Sequence, residues 1–314
     1  MATGRDMHTG PPASTGAAPG SGSPPTRDAV DATRAAAVIT RPGCVDAYAD
    51  EATAALFAHH FDPAFGRRFA ERALDALVVV RGARVLDVPC GTGVFARMAA
   101  HVVGASGMVV GLDPEPAAIE AARRIDVTSI VEWRRWDGAR LPFGDGAFDV
   151  VACQHALHRL AEPAAALEEM RRVLVPGGRL GITVWGPIEE NPAFAAQLDA
   201  VVRAGLDDAP VVERLLDAFA FHRLEDLRTL AEGAGFTDAS CRSVRILAAL
   251  PRVSQWVHVY PSLPPLSGAW SRCGPDARSQ FLSRATELLR PFEHEGVLRV
   301  QASARLVVAR APLA

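Results

Sequence analysis

Between Ala83 and Trp185 the chain alternates between short apolar runs and stretches that carry apolar residues at helical spacing. This alternation constrains the fold more than any other feature, because strands that alternate with helices are joined by right-handed crossovers and form a mostly parallel sheet. We therefore predict an α/β fold. The runs predicted as strands are ARVLDV, GMVVGLD, SIVEWRRWD, AFDVVACQ and RLGITVW.

The pattern changes after Trp185, where longer helical stretches predominate. TDASCRSVRILAAL is predicted as a strand, and GVLRVQASARLVVAR alternates at period two, as a final antiparallel strand would. VSQWVHVYPSLPPLSGAW is predicted to be irregular, because its prolines interrupt regular structure. The helix AEPAAALEEMRRVL is expected to end at Pro176-Gly177-Gly178.

Composition and pattern divide the chain into three parts. Residues 1–42 are rich in Gly, Pro, Ser, Ala and Thr, and we predict a disordered tail because they bury too little apolar surface to offset the entropy of ordering. Residues 43–80 have a helical pattern, which Asp62-Pro63 is expected to break into two helices. Residues 81–314 form the main domain, with inserts at about 186–224 and 252–292.

Charge and composition exclude several classes of protein. A net charge of -3 gives no electrostatic footprint for nucleic acid or acidic lipid. All 33 basic residues are arginine, so a P-loop lysine and a Schiff-base lysine are excluded. The five cysteines have no C-x-x-C spacing, which predicts no structural zinc. Without an apolar run of about 18 residues or an apolar leader, the chain is expected to be a cytoplasmic protein with no membrane or nucleic-acid partner.

A glycine loop follows the first predicted strand. Gly91-Thr92-Gly93-Val94-Phe95-Ala96 fits the G-x-G-x-x-G/A pattern, whose small residues let backbone N–H groups approach a ligand. About twenty residues further on, Asp113 ends the second strand, where an acid suits the two ribose hydroxyls of a nucleoside. These features fit both NAD and other nucleoside ligands.

Asp87, just before the glycine loop, separates these ligands. A carboxylate about 4 Å from a pyrophosphate costs about 4 kcal/mol at an effective dielectric constant near 20. S-adenosylmethionine has no phosphate, and its sulfonium and ammonium groups favour a nearby acid. The residues therefore favour S-adenosylmethionine over NAD. The alternative is that Asp87 is a strand-end acid that caps the next turn.

Four segments occur in the order and spacing of a known family. VLDVPCGTGVFARMA, VVGLDPEPAAIEAAR, WDGARLPFGDGAFDVV and EMRRVLVPGGRLGITVW resemble the class I S-adenosylmethionine-dependent methyltransferases, in particular the UbiE-like bacterial branch (Methyltransferase type 11). The resemblance is strong from about Tyr48 to Trp185 and looser beyond. It implies a methyltransferase with a Rossmann-like, seven-stranded, mostly parallel sheet whose last strand is antiparallel, flanked by helices, with a helical N-terminal cover and a C-terminal cap.

The resemblance also implies roles for individual residues. Asp113 corresponds to the ribose acid, Asp137 to the acid that accepts the adenine amino group, and Gln154 lies where the methionine part is met. Pro89 stands where the family pattern has its first glycine. Trp136 is expected to flank the adenine or to pack in the core. The full set of predicted cofactor-binding residues is Tyr48, Asp87, Cys90, Gly91, Gly93, Asp113, Pro114, Asp137, Gly138 and Gln154.

Two histidines after the fourth strand, His155 and His158, are the candidate catalytic residues. Methyl transfer from a sulfonium mainly requires positioning and desolvation, and an alcohol or phenol acceptor also benefits from a base such as a neutral imidazole. We rank His158 first, because the UbiE-like pattern often has histidine there; the alternative is that it only packs near the cofactor. His59 and His60 have only Asp62 at ligand spacing, so no metal site is predicted.

The function that follows is methyl transfer from S-adenosylmethionine to a small, lipophilic or aromatic metabolite, on oxygen, carbon or nitrogen, in the manner of secondary metabolism. In this fold, inserts between the last strands often cover the acceptor pocket, and the apolar segment from Trp256 to Trp270 suits that role or a minor core. Alternatives are a cofactor-dependent cyclase, isomerase or decarboxylase, and a non-catalytic cofactor-binding partner subunit. Whether the chain forms a homodimer is left open.

Overall fold

The computed structural model describes residues 48, 50–136, 140–207, 209–263 and 265–313, with no side-chain description for residues 209 and 210. The predicted disordered tail, residues 1–42, and the predicted adenine-binding pair Asp137 and Gly138 lie outside the described residues.

The described strands form one sheet in the order β3-β2-β1-β4-β5-β8-β6, and a two-residue strand, β7, pairs with β8. Strands β1 to β5 pair with one another in parallel, and β8 is antiparallel to both β5 and β6. The Rossmann-like, mostly parallel sheet with a reversed last strand is thereby confirmed, with β7 as an addition. The strands are β1 Arg84–Asp87, β2 Met108–Asp113, β3 Val131–Arg135, β4 Phe148–Gln154, β5 Leu174–Trp185, β6 Thr237–Leu250, β7 Glu293–His294 and β8 Val297–Arg310.

Helices flank this sheet, as the alternating pattern predicted. Proline occupies the first turn of several of them, where its missing N–H leaves no hydrogen bond unmade. The helices are α1 Glu51–Leu56, α2 Arg67–Leu77, α3 Val94–Val103, α4 Pro116–Ile125, α5 Pro163–Arg172, α6 Pro192–Arg203, α7 Ala209–Asp217, α8 Leu224–Gly233, α9 Val253–Val259, α10 Ser267–Arg272 and α11 Pro275–Leu289.

The strand order reverses between β1 and β4, which lie side by side and run in the same direction. Connections leave β1 and β4 toward opposite sides of the sheet, so a crevice opens at their carboxyl ends. Asp87 is the last residue of β1 and Gln154 is the last residue of β4. The sheet topology therefore places both residues at the crevice.

The helical N-terminal cover is continuous, so the predicted break at Asp62-Pro63 is wrong. A π-helical segment, Phe57–Gly66, joins α1 to α2 and contains Pro63. Proline removes one backbone donor, and a π-helix, which bonds to the fifth residue back, is a local adjustment that lets a helix continue past such a disturbance. The continuity matters because it carries the side chain of Asp62 inward.

The segment predicted to be irregular forms two helices, α9 and α10, separated by a short 3-10 turn, Tyr260–Ser262. That prediction is wrong because the described prolines of the segment lie outside the interiors of both helices: Pro261 lies in the first turn of the 3-10 element and Pro265 precedes α10. Proline is tolerated at both kinds of position.

The segment Pro176-Gly177-Gly178 also differs from prediction. Helix α5 ends at Arg172, and β5 already begins at Leu174. The pairing of β4 with β5 shifts register between Phe148 and Val150, and this irregularity absorbs the extra residues.

Buried apolar side chains form clusters on both faces of the sheet and under the C-terminal helices. The largest fully buried side chain is Trp256 of α9, which packs within 6.4 Å of Phe65 between ring centroids. Cover and C-terminal helices thus share one core. Among the residues that the structure describes, no helix combines the length and apolar character needed to cross a membrane.

Candidate active site

A cavity of about 180 Å³ opens at the carboxyl ends of β1 and β4. Three parts of the chain enclose it: the N-terminal cover, the sheet with its glycine loop, and the two inserts after β5. The sheet contributes Asp87, Cys90, Gly91, Gln154 and His158, among others. The predicted residues Gly93, Asp113 and Pro114 do not line it.

Asp87 is almost completely buried, with 1% of its surface exposed. Its Oδ2 accepts a hydrogen bond from the backbone N–H of Ala96, 3.1 Å away in the first turn of α3. Its Oδ1 is buried without a hydrogen-bond partner. Asp87 thus fulfils the alternative role of capping a turn with one oxygen, while its other oxygen has no hydrogen-bond partner in the protein. Burial raises the pKa of this carboxyl well above its usual range.

Asp113 lies behind the cavity wall and is fully buried. Its Oδ2 accepts a hydrogen bond from the backbone N–H of Gly91 at 2.8 Å, and its Oδ1 accepts one from the N–H of Glu115 at 3.0 Å. In this conformation the carboxylate clamps the glycine loop to the end of β2. A ribose contact at Asp113 therefore remains a proposal.

Tyr48 and Arg159 lie together beside the glycine loop and line the cavity. The Arg159 guanidinium lies over the Tyr48 ring, 5.1 Å from its centroid, and 3.7 Å from Asp113 Oδ1. A Cβ on Gly91 would come within 2.4 Å of the Tyr48 hydroxyl. Gly91 is therefore needed for the close approach of Tyr48. Cys90, also in the wall, is a buried free cysteine.

Gly93 has a packing role that the loop pattern alone did not reveal. Its φ is +81°, and a Cβ would come within 2.1 Å of the Trp133 ring. Trp133 also lies against Gly111, so the indole ring packs directly on both glycines. Trp136 is buried and packs in the apolar core, as the core-packing alternative predicted.

Gln154 joins the sheet to the cover. Its Nε2 donates a hydrogen bond to the backbone carbonyl of Gly66, 2.8 Å away. Its Oε1 is buried without a hydrogen-bond partner, although the side chain lines the cavity. Unpartnered acceptor oxygens on Gln154 and Asp87 fit a ligand that presents cationic hydrogen-bond donors. The methionine end of S-adenosylmethionine has this character.

The two candidate catalytic histidines both line the cavity. His155 has φ +50°, stacks on Trp185 at 4.3 Å between ring centroids, and has no hydrogen-bond partner at either ring nitrogen. Burial lowers the pKa of His155 to about 3 and that of His158 to about 3. Both imidazoles are therefore neutral near pH 7.

Aromatic rings from the cover, from α3 and β5, and from the inserts also line the cavity and form its aromatic lobe. Phe61 and Trp185 meet edge to face at 5.9 Å, and Trp185 and Phe194 at 4.9 Å. Such a wall suits a flat apolar ligand, because ring faces and edges provide large contact areas with defined geometry. The described aromatic residues of the wall are Tyr48, Phe57, Phe61, Phe95, Trp185, Phe194, Phe219 and Tyr260.

Sequence reasoning missed four polar residues of the wall: Asp62, Thr92, Arg159 and Arg214. Asp62 was interpreted as a turn residue before Pro63 and is instead buried. The available signal was its position on the inward face of the helical pattern, beside Phe61 and Phe65. The described residues contain no group of three or more His, Cys, Asp or Glu side chains arranged to hold a metal ion.

The fold and the comparisons together define a class I S-adenosylmethionine-dependent methyltransferase. A family model described as "Methyltransferase domain" matches residues 86–182, which run from β1 into β5. The chain belongs to the UbiE-like branch of these methyltransferases, and its cofactor is S-adenosylmethionine.

Two curated relatives illustrate the similarity. The UbiE ubiquinone/menaquinone biosynthesis C-methyltransferase of Salmonella arizonae is 33% identical over 175 residues, covering 52% of this chain and 70% of the relative. The 2-phytyl-1,4-naphtoquinone methyltransferase of Thermosynechococcus vestitus is 40% identical over 113 residues, covering 36% of this chain and 50% of the relative. The chain spans about half the length of several curated relatives that it matches.

Solved structures agree in fold. The YcgJ protein of Bacillus subtilis superposes with a TM-score of 0.50 at 16% identity, over 79% of this chain and 99% of YcgJ. At this level of identity the likeness concerns the fold alone.

Proposed function

We propose that this protein transfers the methyl group of S-adenosylmethionine to a small, lipophilic aromatic acceptor of the quinone or phenol type. One observation carries the proposal: a single cavity is lined both by Asp87, beside the glycine loop, and by the rings of the aromatic lobe. The named activities of the relatives support this acceptor class, because they include quinone and naphthoquinone methyltransferases.

The residues proposed to hold the cofactor surround the glycine loop. Asp87 and Gln154 offer unpartnered oxygens to its cationic methionine end, while Asp113 holds the loop in place and is proposed to receive the ribose. Tyr48, Cys90, Gly91 and Gly93 are proposed to contact or shape this half of the cavity, together with Pro114, Asp137 and Gly138. When bound, S-adenosylmethionine supplies a methyl group already activated by the positive charge on sulfur.

The chain's own contribution is positioning, exclusion of water and a hydrogen bond to the acceptor. The aromatic lobe orients a flat acceptor and keeps water from its reacting atom. His158 is proposed to accept, through a neutral ring nitrogen, a hydrogen bond donated by the hydroxyl group of the methyl acceptor. His155, stacked on Trp185, is proposed to position the ring of the methyl acceptor. The inserts at about 186–224 and 252–292 are proposed to form the roof, to which Phe219 and Tyr260 belong.

Incubation with methyl-labelled S-adenosylmethionine and a panel of hydroxylated naphthoquinones and phenols tests the proposal. The expected result is a product heavier than the acceptor by one labelled methyl in place of hydrogen, with one S-adenosylhomocysteine formed per product. An altered product without labelled methyl would contradict methyl transfer and indicate a cyclase, isomerase or decarboxylase. Binding of the cofactor without turnover of any acceptor would indicate a non-catalytic subunit.

A further inference from the structure

Asp62 is a buried acid of the N-terminal cover and lies outside the glycine loop. It lies in the π-helical segment of the cover, is 8% exposed, and lines the same cavity as Asp87. Its Oδ2 accepts a hydrogen bond from Thr92 Oγ1 at 2.5 Å. Burying a carboxylate is costly unless nearby groups compensate for the lost hydration. One hydroxyl supplies part of that compensation.

Asp62 shares its basic neighbour, Arg97, with a second acid, Asp87. Arg97 of α3 lies 4.0 Å from Asp62 Oδ2, and it also contributes a favourable charge to Asp87. Asp62 and Asp113 each raise the pKa of Asp87 and of Tyr48, while Arg159 lies 3.7 Å from Asp113 Oδ1 and Arg214 also lines the cavity. Arg97 is thus shared between acids, one of which, Asp87, has a buried oxygen without a hydrogen-bond partner.

We propose that Asp62 acts with Asp87 to recognise the positive charge on the sulfur of the cofactor, so that the chain prefers S-adenosylmethionine over S-adenosylhomocysteine. The two molecules differ at this atom: loss of the methyl group leaves the bonding electron pair on sulfur and turns a cationic sulfonium into a neutral thioether. A cleft to which Asp62 adds a carboxylate therefore binds S-adenosylhomocysteine more weakly than S-adenosylmethionine and releases it more readily. This inference rests on the proposed function, because it assigns the cavity to that cofactor.

The preference is expected to depend on pH. Burial raises the pKa of Asp62 to about 6, while the Thr92 hydroxyl and Arg97 oppose this rise. Below that pH the free chain carries a neutral Asp62, and above it a carboxylate. A bound sulfonium favours the carboxylate, so binding of S-adenosylmethionine near pH 6 releases protons, and affinity for it increases as pH rises through this range.

Isothermal titration calorimetry with S-adenosylmethionine and S-adenosylhomocysteine, at about pH 5 and about pH 7.5, tests this inference. For the unaltered chain, the affinity ratio of substrate over product is expected to be about tenfold higher at the upper pH. Asp62→Asn is expected to lower that ratio at the upper pH, and to remove the part of the pH dependence centred at about pH 6 together with the matching proton release measured in buffers of different ionisation enthalpy. Asp75→Asn, the same change at an exposed position of α2, should leave both unchanged.

A second variant keeps the carboxylate and alters its surroundings. Thr92→Val removes the hydroxyl that favours ionised Asp62, so the midpoint of the pH dependence is expected to move upward. A ratio that is insensitive to pH in the unaltered chain, or an equal loss of affinity for both ligands in Asp62→Asn, would overturn the inference while leaving the proposed function intact. Failure of the unaltered chain to bind either ligand would overturn both.

Discussion

At the scale of single residues, Asp113 holds the glycine loop in place and is proposed to receive the ribose of the cofactor. Both of its oxygens hold backbone N–H groups, one in the glycine loop and one after β2. We expect Asp113→Ala to weaken S-adenosylmethionine binding by at least about tenfold, because it removes a charged hydrogen-bond acceptor and releases the loop. Calorimetry measures this directly. An unchanged dissociation constant would show that Asp113 contributes nothing to the cofactor site.

His158 allows a different prediction, because its pKa is lowered by burial to about 3. A histidine whose pKa is lowered this far is neutral at all pH values above about 4. Its ability to accept a hydrogen bond should therefore not change with pH near neutrality. We expect His158→Ala to lower kcat by about tenfold or more with cofactor affinity preserved, and His158→Gln to restore part of it.

The pH profile of kcat distinguishes the two roles of His158. A neutral hydrogen-bond acceptor gives no titration attributable to His158 between about pH 5 and pH 8, whereas a base that titrates normally gives a loss of rate below about pH 6.5. A fall in kcat below about pH 6.5 that is present in the unaltered chain and absent from His158→Ala would contradict the neutral state of this imidazole.

At the scale of elements, the glycine loop depends on the strand beneath it. Gly93 has a left-handed backbone and lies against Trp133 of β3. We expect Gly93→Ala to lower the free energy of unfolding by about 3 kcal/mol, since it adds backbone strain and overpacks the indole. Gly205→Ala is a matched control: its φ is +64° and no atom lies within 4 Å of an added Cβ, so only the strain cost of about 1 kcal/mol remains.

Chemical denaturation of the two variants checks this prediction. If Gly93→Ala costs no more than Gly205→Ala, the contact with Trp133 does not limit the residue at this position. A larger cost at Gly93 with normal cofactor affinity would further show that the glycine serves packing more than ligand approach.

The elements also show which features sequence predicts. The strands that carry Asp87, Asp113 and Gln154 were predicted because buried parallel strands give continuous apolar runs bounded by turns. The continuous cover helix was missed because proline was expected to end it, and a π-helical segment instead accommodates Pro63. Helices α9 and α10 were missed for a related reason: local prolines flank them rather than interrupt them.

At the scale of the whole molecule, the cavity combines parts that no local pattern links. The glycine loop is recognisable from its spacing, but Asp62 and Arg159 reach it from the cover and from the segment after β4. Their approach depends on how helices pack across the sheet, and that packing leaves no short motif in the sequence. The aromatic lobe was anticipated only as an apolar roof, whereas the structure builds it from cover and inserts alike.

We propose that this cavity favours a nucleoside that carries positive charge and disfavours one that carries phosphate. Asp62 and Asp87, both buried and in the cavity lining, are proposed to supply the negative charge that sets this preference.

Parallel calorimetric titrations of the unaltered chain with S-adenosylmethionine and with NAD test the claim most directly. Saturable binding of S-adenosylmethionine and no heat of binding with NAD is the predicted result. Saturable binding of NAD without binding of S-adenosylmethionine would contradict it.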